Sequence, residues 1–206
     1  MSFPTHKYPT AGAYFAAYVE QYSRAAQALD ATALEAAAEL LRRAYRERRW
    51  TFACGNGGSA AICNHLHCDH LKGVQTDTDL RPRVISLSAN LETITAIAND
   101  IAYADVFVYQ LRTLAEPGDV LITISASGDS ENVVRAAQWA KESGLSVIAM
   151  TGFSGGRTAA LADVNIHFPA DNYGVAEDLH QSVMHVLAQF LRLDEMPERL
   201  VAERKF

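Results

Sequence analysis

Histidine and carboxylate side chains recur four residues apart in two stretches of this chain. His65 and Asp69 form the first pair, and Glu177, Gln181 and His185 form a second series. Residues four apart in an α-helix share a face, so each stretch can present its polar groups to one point. Imidazole and carboxylate groups that converge can bind a divalent metal or act as an acid–base pair. A lone histidine on an apolar helix is more often a packed core residue, but two such helices together favour a site.

Two turns rich in glycine and serine indicate where an anion would bind. Apolar residues 51–54 lead into the first turn, which contains Asn56, Gly57, Gly58 and Ser59. A strand pattern at 119–124 leads into the second turn, which contains Ser125, Ala126, Ser127 and Ser130. Backbone N–H groups at the helix starts that follow favour negative charge. Because both turns would lie at the carboxyl edge of a parallel sheet, we predict that their hydroxyls converge on one phosphate group. Either turn alone could equally be a tight connection without a ligand.

The elements that must position these groups alternate between strand and helix patterns from residue 50 onward. Predicted strands cover 51–54, 83–88, 119–124, 147–151 and 164–168. Predicted helices cover 59–72, 91–99, 106–114, 130–142, a short segment ending at 161, and 175–193. This alternation predicts an α/β fold, a three-layer doubly wound parallel sheet with helices on both faces. Gly73 is expected to end the first of these helices, and His67 and His70 are interpreted as surface or packing residues.

Two alanine-rich helices are predicted ahead of the first strand, at 11–29 and 32–48. Asp30 and Thr32 would supply the break and the cap between them. Such helices cannot belong to a βαβ unit, so we expect them to bury their apolar stripes against another subunit rather than on the sheet. The chain is predicted to be one domain over 1–206, with a helical segment at 1–49 and the sheet core and final helix at 50–194. The charged tail that ends at Phe206 is expected to be loose.

The composition and net charge of the chain exclude several classes of protein. A chain of 206 residues, about half of them hydrophobic, can bury one sizeable core. The net charge of −6 argues against a nucleic-acid partner or an anionic membrane surface. Three cysteines form neither an even framework nor a paired metal spacing. The first residues lack the basic-then-apolar pattern of a signal, and no uncharged apolar run is long enough for a membrane span. A soluble protein of the reducing cytoplasm is therefore expected.

Several of these motifs together match a known family. They are residues 54–59, the run 95–100 that ends at Asp100, residues 124–130, Thr151-Gly152 with the glycines at 155 and 156, and the final helix with His180 and His185. With them the chain resembles the sugar isomerase (SIS) domain family and, within it, the phosphoheptose isomerases. The resemblance covers nearly the whole chain. It implies a flavodoxin-like sheet and a homotetramer with active sites at subunit contacts. It also implies conversion of D-sedoheptulose 7-phosphate to D-glycero-D-manno-heptose 7-phosphate through an enediol, in bacterial heptose biosynthesis.

The resemblance also implies roles for individual residues. A zinc ion, one per subunit, would be bound at the positions of His65, Asp69, Glu177 and His185. Asp69 would be the catalytic base and His185 the acid. The substrate, a sugar phosphate, would contact Glu177 and the following further residues: Asn56, Gly57, Gly58, Ser59, Asp100, Ser125, Ala126, Ser127 and Ser130. Three positions depart from the family pattern, because Asp69 stands for a longer carboxylate, Glu177 for an amide and Ala126 for a threonine.

Two other classes of protein remain open at this stage. The first is a non-catalytic sugar-phosphate-binding SIS module of the regulatory, initiator-associating type, which would keep the glycine turn without the acid–base pair. The second is a dinucleotide enzyme, because Gly55, Gly57 and Ala60 satisfy a loose G-x-G-x-x-A pattern. That pattern requires an acidic residue at the end of the next strand, whereas Asp77 and Asp79 precede that strand. The histidines and carboxylates disfavour the first alternative, and the misplaced acids disfavour the second.

Overall fold

The computed structural model describes residues 2–206, and within them five parallel strands form one sheet. The strands are β1 (Trp50–Cys54), β2 (Arg83–Ser86), β3 (Val120–Ser125), β4 (Ser146–Thr151) and β5 (Val164–His167). Their order across the sheet is β2-β1-β3-β4-β5, and every neighbouring pair is parallel. This is the flavodoxin-like order, in which the connection reverses direction between β1 and β3. Ligands of such sheets bind outside the carboxyl ends of the strands at this reversal.

Helices cover both faces of the sheet, which confirms the predicted three-layer architecture. The helices are α1 (Ala11–Gln27), α2 (Ala31–Arg46), α3 (Gly58–Cys68), α4 (Leu91–Asp100), α5 (Val108–Leu114), α6 (Glu131–Glu142), α7 (Gly156–Leu161), α8 (Tyr173–Glu195) and α9 (Glu198–Val201). Buried residues of α2, α3 and α8 form the core on one face, and those of α4, α5 and α6 form the core on the other. Within β1, Phe52 and Ala53 belong to opposite cores, because successive strand residues point to opposite faces.

The position of α2 corrects the expectation that both N-terminal helices pack between subunits. Ala37, Leu41, Ala44 and Tyr45 of α2 are buried within this chain, in the same core as strand and α8 residues. The periodic apolar face of α2 therefore covers the sheet, which a helix placed before the first strand can do without being part of a βαβ unit. Helix α1 packs on α8 and leaves Phe15 and Val19 largely exposed. The predicted cap is confirmed, since Asp30 accepts a hydrogen bond from the Thr32 N–H.

The helix after β1 ends differently from the prediction. The α-helical hydrogen bonding of α3 stops at Cys68, and a π-helical turn, Asp69–Val74, continues the chain. Gly73 lies inside this turn rather than ending the helix, so its predicted role as a helix stop is wrong. The wider turn lets both His70 and Val74 be fully buried. Turns of this kind are frequently found at functional sites.

The tail is held rather than loose. After α8, the Arg192 guanidinium donates to the Lys205 carbonyl oxygen, and its side chain lies 4.9 Å from the centre of the Phe206 ring. Arg192 and Arg204 also both donate to Asp77. The C-terminal residues therefore pack back onto the loop that precedes β2. None of the helices within residues 2–206 is long and apolar enough to cross a membrane.

Candidate active site

One site lies where α3 meets α8. The carboxylate of Asp69 accepts a hydrogen bond from His185 Nδ1 at 2.9 Å, and its other oxygen lies 3.4 Å from His65 Nε2. The two imidazole rings are nearly perpendicular, with centres 4.8 Å apart. One ligand atom from each of the three residues lies within 4.8 Å of the others, so the three side chains could hold a metal ion. The convergence of His65, Asp69 and His185 that the spacing predicted is therefore present.

Gln181 completes this cluster. Its amide nitrogen lies 3.1 Å from His65 Nδ1 and 2.9 Å from His185 Nε2. A carboxylate accepts hydrogen bonds only, so the ring nitrogens that face Asp69 are donors and those that face Gln181 are acceptors. The two hydrogens of the amide then serve the two histidines, while His185 donates to the carboxylate and His65 Nε2 lies 3.4 Å from its other oxygen. The four side chains form a hydrogen-bond network in which each histidine tautomer is fixed.

Helix spacing accounts for this geometry. His65 and Asp69 lie one turn apart on α3, at the point where the π turn begins. Gln181 and His185 lie one turn apart on α8, whose other faces bury residues such as Leu179, Val183 and Met184 in the core. Because both helices pack on the same face of the sheet, their polar pairs meet at the surface of that layer. All four side chains stay at least partly accessible, as groups that act on a ligand must.

A second site lies at the carboxyl ends of β1 and β3, where the strand order reverses. It is a cavity of about 130 Å³. Its lining residues are Asn56, Ser59, Ile124, Ser125, Ala126, Ser127, Ser130, Tyr173 and Glu177. The four serines predicted to converge are all among them, and their two turns precede the N-termini of α3 and α6. Hydroxyls and free helix N–H groups in one cavity provide the donors that a phosphate group needs.

Two glycines are required by the backbone around this cavity. Gly57 has φ +54° and is the residue before α3 begins. Gly128 has φ +63°, and a Cβ atom there would lie 1.9 Å from the carbonyl oxygen of Gly155. Side chains at these positions would be strained or would clash. Gly128 therefore allows the turn after β3 to approach the turn after β4 closely.

Glu177 lies at the cavity rather than in the histidine cluster. Its carboxylate sits directly over Gly58, so close that a Cβ atom there would lie 2.7 Å from Oε1. The group of possible metal-binding residues contains His65, Asp69 and His185 without Glu177. The physical reason is helix spacing, since Glu177 is two turns from His185 while Gln181 is one turn away. Partial burial, with the neighbouring charge of Asp178 as a smaller cause, raises the pKa of Glu177.

Asp100, like Gly57 and Gly58, is a predicted substrate-binding residue that is not among those that line the cavity. It is exposed at the end of α4 and accepts a hydrogen bond from the side chain of Asn99. Three residues later, however, the hydroxyl of Tyr103 donates to Asn56 Oδ1 at 2.8 Å. The segment after α4 therefore reaches the cavity through Tyr103.

Sequence reasoning missed several residues of these sites. Gln181 appeared in the four-residue series of α8, but the resemblance directed attention to Glu177. Asn132, in the first turn of α6, pairs with Asn56 across the two turns. Tyr103 and Tyr173 carried no motif, and only the packing of distant segments brings them here. An asparagine two residues after Ser130 was the available signal for Asn132.

The sequence of this chain is similar to those of known proteins. A family model described as SIS domain matches residues 13–152. A phosphoheptose isomerase of Colwellia psychrerythraea is 39% identical over 149 residues, which cover 71% of this chain and 76% of that protein. A phosphoheptose isomerase of Shewanella denitrificans is 37% identical over 166 residues, which cover 79% of this chain and 84% of that protein.

Solved structures of phosphoheptose isomerases are also similar to this chain. The phosphoheptose isomerase of Neisseria gonorrhoeae is similar with a TM-score of 0.80 and 32% identity, covering 87% of this chain and 95% of that one. The phosphoheptose isomerase of Francisella tularensis has a TM-score of 0.78 and 29% identity over the same shares of the two chains. The sugar isomerase domain of an RpiR transcription factor from Sphaerobacter thermophilus shares the fold, with a TM-score of 0.62 and 23% identity, covering 91% of this chain and 92% of that one.

Proposed function

Because the chain belongs to the SIS domain family and, within it, to the phosphoheptose isomerases, we propose that it converts D-sedoheptulose 7-phosphate to D-glycero-D-manno-heptose 7-phosphate. The enzyme is an isomerase of the aldose–ketose type that acts in heptose biosynthesis. The reaction moves one proton between C1 and C2 through an enediol and moves a second between the two oxygens. The sites must therefore hold a phosphate, a base and a proton donor.

The observation that most supports this function is the separation of the two sites along α3. Ser59 of the serine-lined cavity stands at the start of that helix, and Asp69 of the histidine cluster stands at its end. They are ten residues apart (69 − 59), which corresponds to about 15 Å along a helix axis. A substrate that has its phosphate in the cavity and reacts at Asp69 must be a long, extended chain. A seven-carbon sugar phosphate suits this spacing better than a triose phosphate.

The acid–base roles follow from the groups at the far end of α3. Asp69 would take the proton from the substrate carbon, because it is the carboxylate of this cluster and a carboxylate can accept a proton. The two imidazoles are the other groups of the cluster that can exchange protons. As an imidazolium with both ring nitrogens protonated, His185 would give one proton to the substrate oxygen and then take one back from the neighbouring hydroxyl. The Gln181 amide would keep both imidazoles oriented during these transfers. The serine hydroxyls and helix N–H groups would fix the phosphate and so place C1 and C2 beside Asp69.

A divalent metal fits the same cluster. Two imidazoles and a carboxylate whose ligand atoms lie within 4.8 Å of one another form a donor set typical of zinc sites that keep an open position. We propose zinc, one ion per subunit, with His65, Asp69 and His185 as its ligands and Gln181, rather than Glu177, as the neighbouring amide. When bound, the metal would polarise a substrate oxygen and stabilise negative charge on it. Ring nitrogens bind a metal only without their protons, so metal affinity should fall at acidic pH.

Elemental analysis tests the metal. Protein purified without a metal-affinity tag is expected to contain about one zinc per subunit, and His65→Ala should abolish its retention. His67→Ala is the matched control, because His67 lies two residues away on another face of α3. Full activity of metal-free protein, unaffected by chelator, would show that these residues act only as acid and base.

The assembly and location are also proposals. Exposed apolar side chains on α1 and α8, including Phe15, Val19, Val186 and Phe190, are suited to contacts with further copies of the chain. We propose a homotetramer in the cytoplasm, with active sites close to the subunit contacts. The acidic net charge gives no support to a nucleic-acid partner.

The non-catalytic alternative has less support. A binding module needs the serine-lined cavity but has no use for a carboxylate between two oriented imidazoles. The dinucleotide alternative is also disfavoured, because Asp77 is bound to Arg192 and Arg204 and lies before β2. The direct experiment is incubation with five-, six- and seven-carbon ketose phosphates while aldose formation is followed. Turnover confined to the seven-carbon substrate is expected, and absence of turnover with the whole panel would favour the binding module.

A further inference from the structure

The side chain of Asn56, which lines the serine-rich cavity, is held by two residues from other parts of the fold. Its Nδ2 donates to Asn132 Oδ1 at 2.9 Å, and its Oδ1 accepts from Asn132 Nδ2 at 2.9 Å. The hydroxyl of Tyr103 donates to the same Oδ1 at 2.8 Å. Asn132 is only 2% exposed, and its pairing with Asn56 is partly buried. Three separate segments therefore meet at one amide: the turn after β1, the first turn of α6 and the short helix Tyr103–Asp105.

These bonds leave the Asn56 side chain with only an amide hydrogen for bonding to a ligand. Its oxygen has two lone pairs, and both are used by Asn132 and Tyr103. Its amide nitrogen has two hydrogens, and one of them is used by Asn132. The second hydrogen has no partner among residues 2–206 in the structure. Toward the cavity, Asn56 can therefore act only as a hydrogen-bond donor.

The hydrogen bonds between Asn56 and Asn132 do not by themselves fix which end of each amide is the oxygen. Further partners of the two amides fix it. Two facing amides could exchange hydrogen bonds equally well if both were rotated by half a turn. The Val133 N–H donates to Asn132 Oδ1, which fixes the Asn132 amide. The Tyr103 hydroxyl donates to Asn56 Oδ1, which fixes the other. Rotated amides would place hydrogens against both of these donors.

We propose that Asn132 and Tyr103 are positioning residues that hold Asn56 as a hydrogen-bond donor to the phosphoryl oxygens of the sugar phosphate. This inference rests on the proposed function, because it assigns the phosphate to this cavity. A fixed donor suits an anion and is unsuited to a ligand group that must itself donate. Tyr103 is 57% exposed, so loss of its hydroxyl should not disturb the core.

Binding of inorganic phosphate and steady-state kinetics test the proposal. Tyr103→Phe is expected to raise both the Kd for phosphate and the KM for the sugar phosphate by roughly threefold to tenfold, the worth of one hydrogen bond. The kcat should stay within about twofold, because phosphate binding is equal in the ground and transition states. Tyr109→Phe is the matched control, since Tyr109 is a similarly exposed tyrosine on α5. Asn132→Asp should weaken phosphate binding more than Tyr103→Phe does, because an acceptor replaces the donor that faces Asn56.

A double-variant cycle separates positioning from a general structural role. In an Asn56→Ala background, Tyr103→Phe is expected to cause no further rise in the Kd for phosphate. Additive effects, or an unchanged Kd in Tyr103→Phe, would overturn the inference while leaving isomerase activity as evidence for the proposed function. Conversely, a protein that shows the cycle in phosphate binding but no turnover would refute the proposed function alone. Failure of the wild-type protein to bind phosphate would overturn the inference directly.

Discussion

Asp69 is bonded to one histidine and lies beside another, and we propose it as the catalytic base. Asp69→Asn keeps the size of the side chain and removes its basicity, so turnover should fall by roughly 10²–10⁴-fold, the usual worth of a general base. Binding of inorganic phosphate should survive, because the cavity lies at the other end of α3. Asp79→Asn, at an exposed position, is the control. Turnover that persists in Asp69→Asn would move the base elsewhere, with Glu177 as the next candidate.

Glu177 places a carboxylate beside the proposed phosphate site, where its charge opposes an anion. Burial raises the pKa of this group, as expected for a carboxylate in such a position. Glu177→Gln removes the charge and keeps the shape, so phosphate affinity should increase by about fivefold, which corresponds to about 1 kcal/mol of repulsion at contact distance in water. Titration of phosphate into both proteins measures this. Glu203→Gln in the exposed tail is the control, and weaker binding in Glu177→Gln would show that Glu177 assists the ligand instead.

At the level of elements, the turns after β1 and β3 act together because the sheet places β1 beside β3. Ser125 Oγ accepts from the Gly128 N–H, and Ser127 Oγ accepts from the Asp129 N–H, so both hydroxyls keep their hydrogens free for a ligand. The turns are therefore ordered before any phosphate binds, which lowers the entropic cost of binding.

Removing the Ser127 hydroxyl should weaken sugar-phosphate binding by about 1.5–3 kcal/mol, the range for a hydrogen bond to a charged group. The measurement is the KM for the substrate and the inhibition constant of inorganic phosphate in Ser127→Ala. Ser154→Ala, in the turn after β4 and outside the cavity lining, is the control. An unchanged KM in the combined Ser125→Ala and Ser127→Ala variant would place the phosphate elsewhere.

At the level of the whole molecule, the two N-terminal helices differ in how much of their apolar surface is buried within the chain. Leu41 of α2 is fully buried in the core of its own chain, whereas Phe15 of α1 is 66% exposed. Leu41→Ala should therefore lower the free energy of unfolding by about 2–5 kcal/mol, the usual cost of a buried leucine. If the proposed tetramer forms, Phe15→Ser should instead shift its sedimentation profile toward smaller species while each subunit stays folded.

The control for this prediction is Leu91→Ser. Leu91 is as exposed as Phe15 but lies on α4, in the layer on the other side of the sheet. A wild-type protein that sediments as a monomer at micromolar concentration would contradict the proposed assembly. Dissociation by Leu91→Ser and not by Phe15→Ser would place the contact on the opposite layer.

Local patterns in the sequence determine much of this protein by themselves. The apolar runs at the five strands, the glycines and serines after two of them, and the four-residue spacing of His65 and Asp69 each depend on neighbours in the chain. Such features follow from strand and helix periodicity, so the α/β class, the parallel sheet and the meeting of the two serine-containing turns were predicted correctly. The bounds of most elements differ from the prediction by only a few residues.

Contacts between distant segments were decided only by the tertiary structure. Gln181 rather than Glu177 meets the histidines because α8 contacts the end of α3 at the turn that carries Gln181 and His185. The four-residue series in the sequence does not show which turn of α8 makes this contact. The burial of α2 on its own sheet depends on which surface is left uncovered once the other helices have packed. The bonds of Asn56 to Asn132 and Tyr103 join residues 76 and 47 positions apart. Periodicity describes one element at a time, whereas these contacts depend on the packing of several elements.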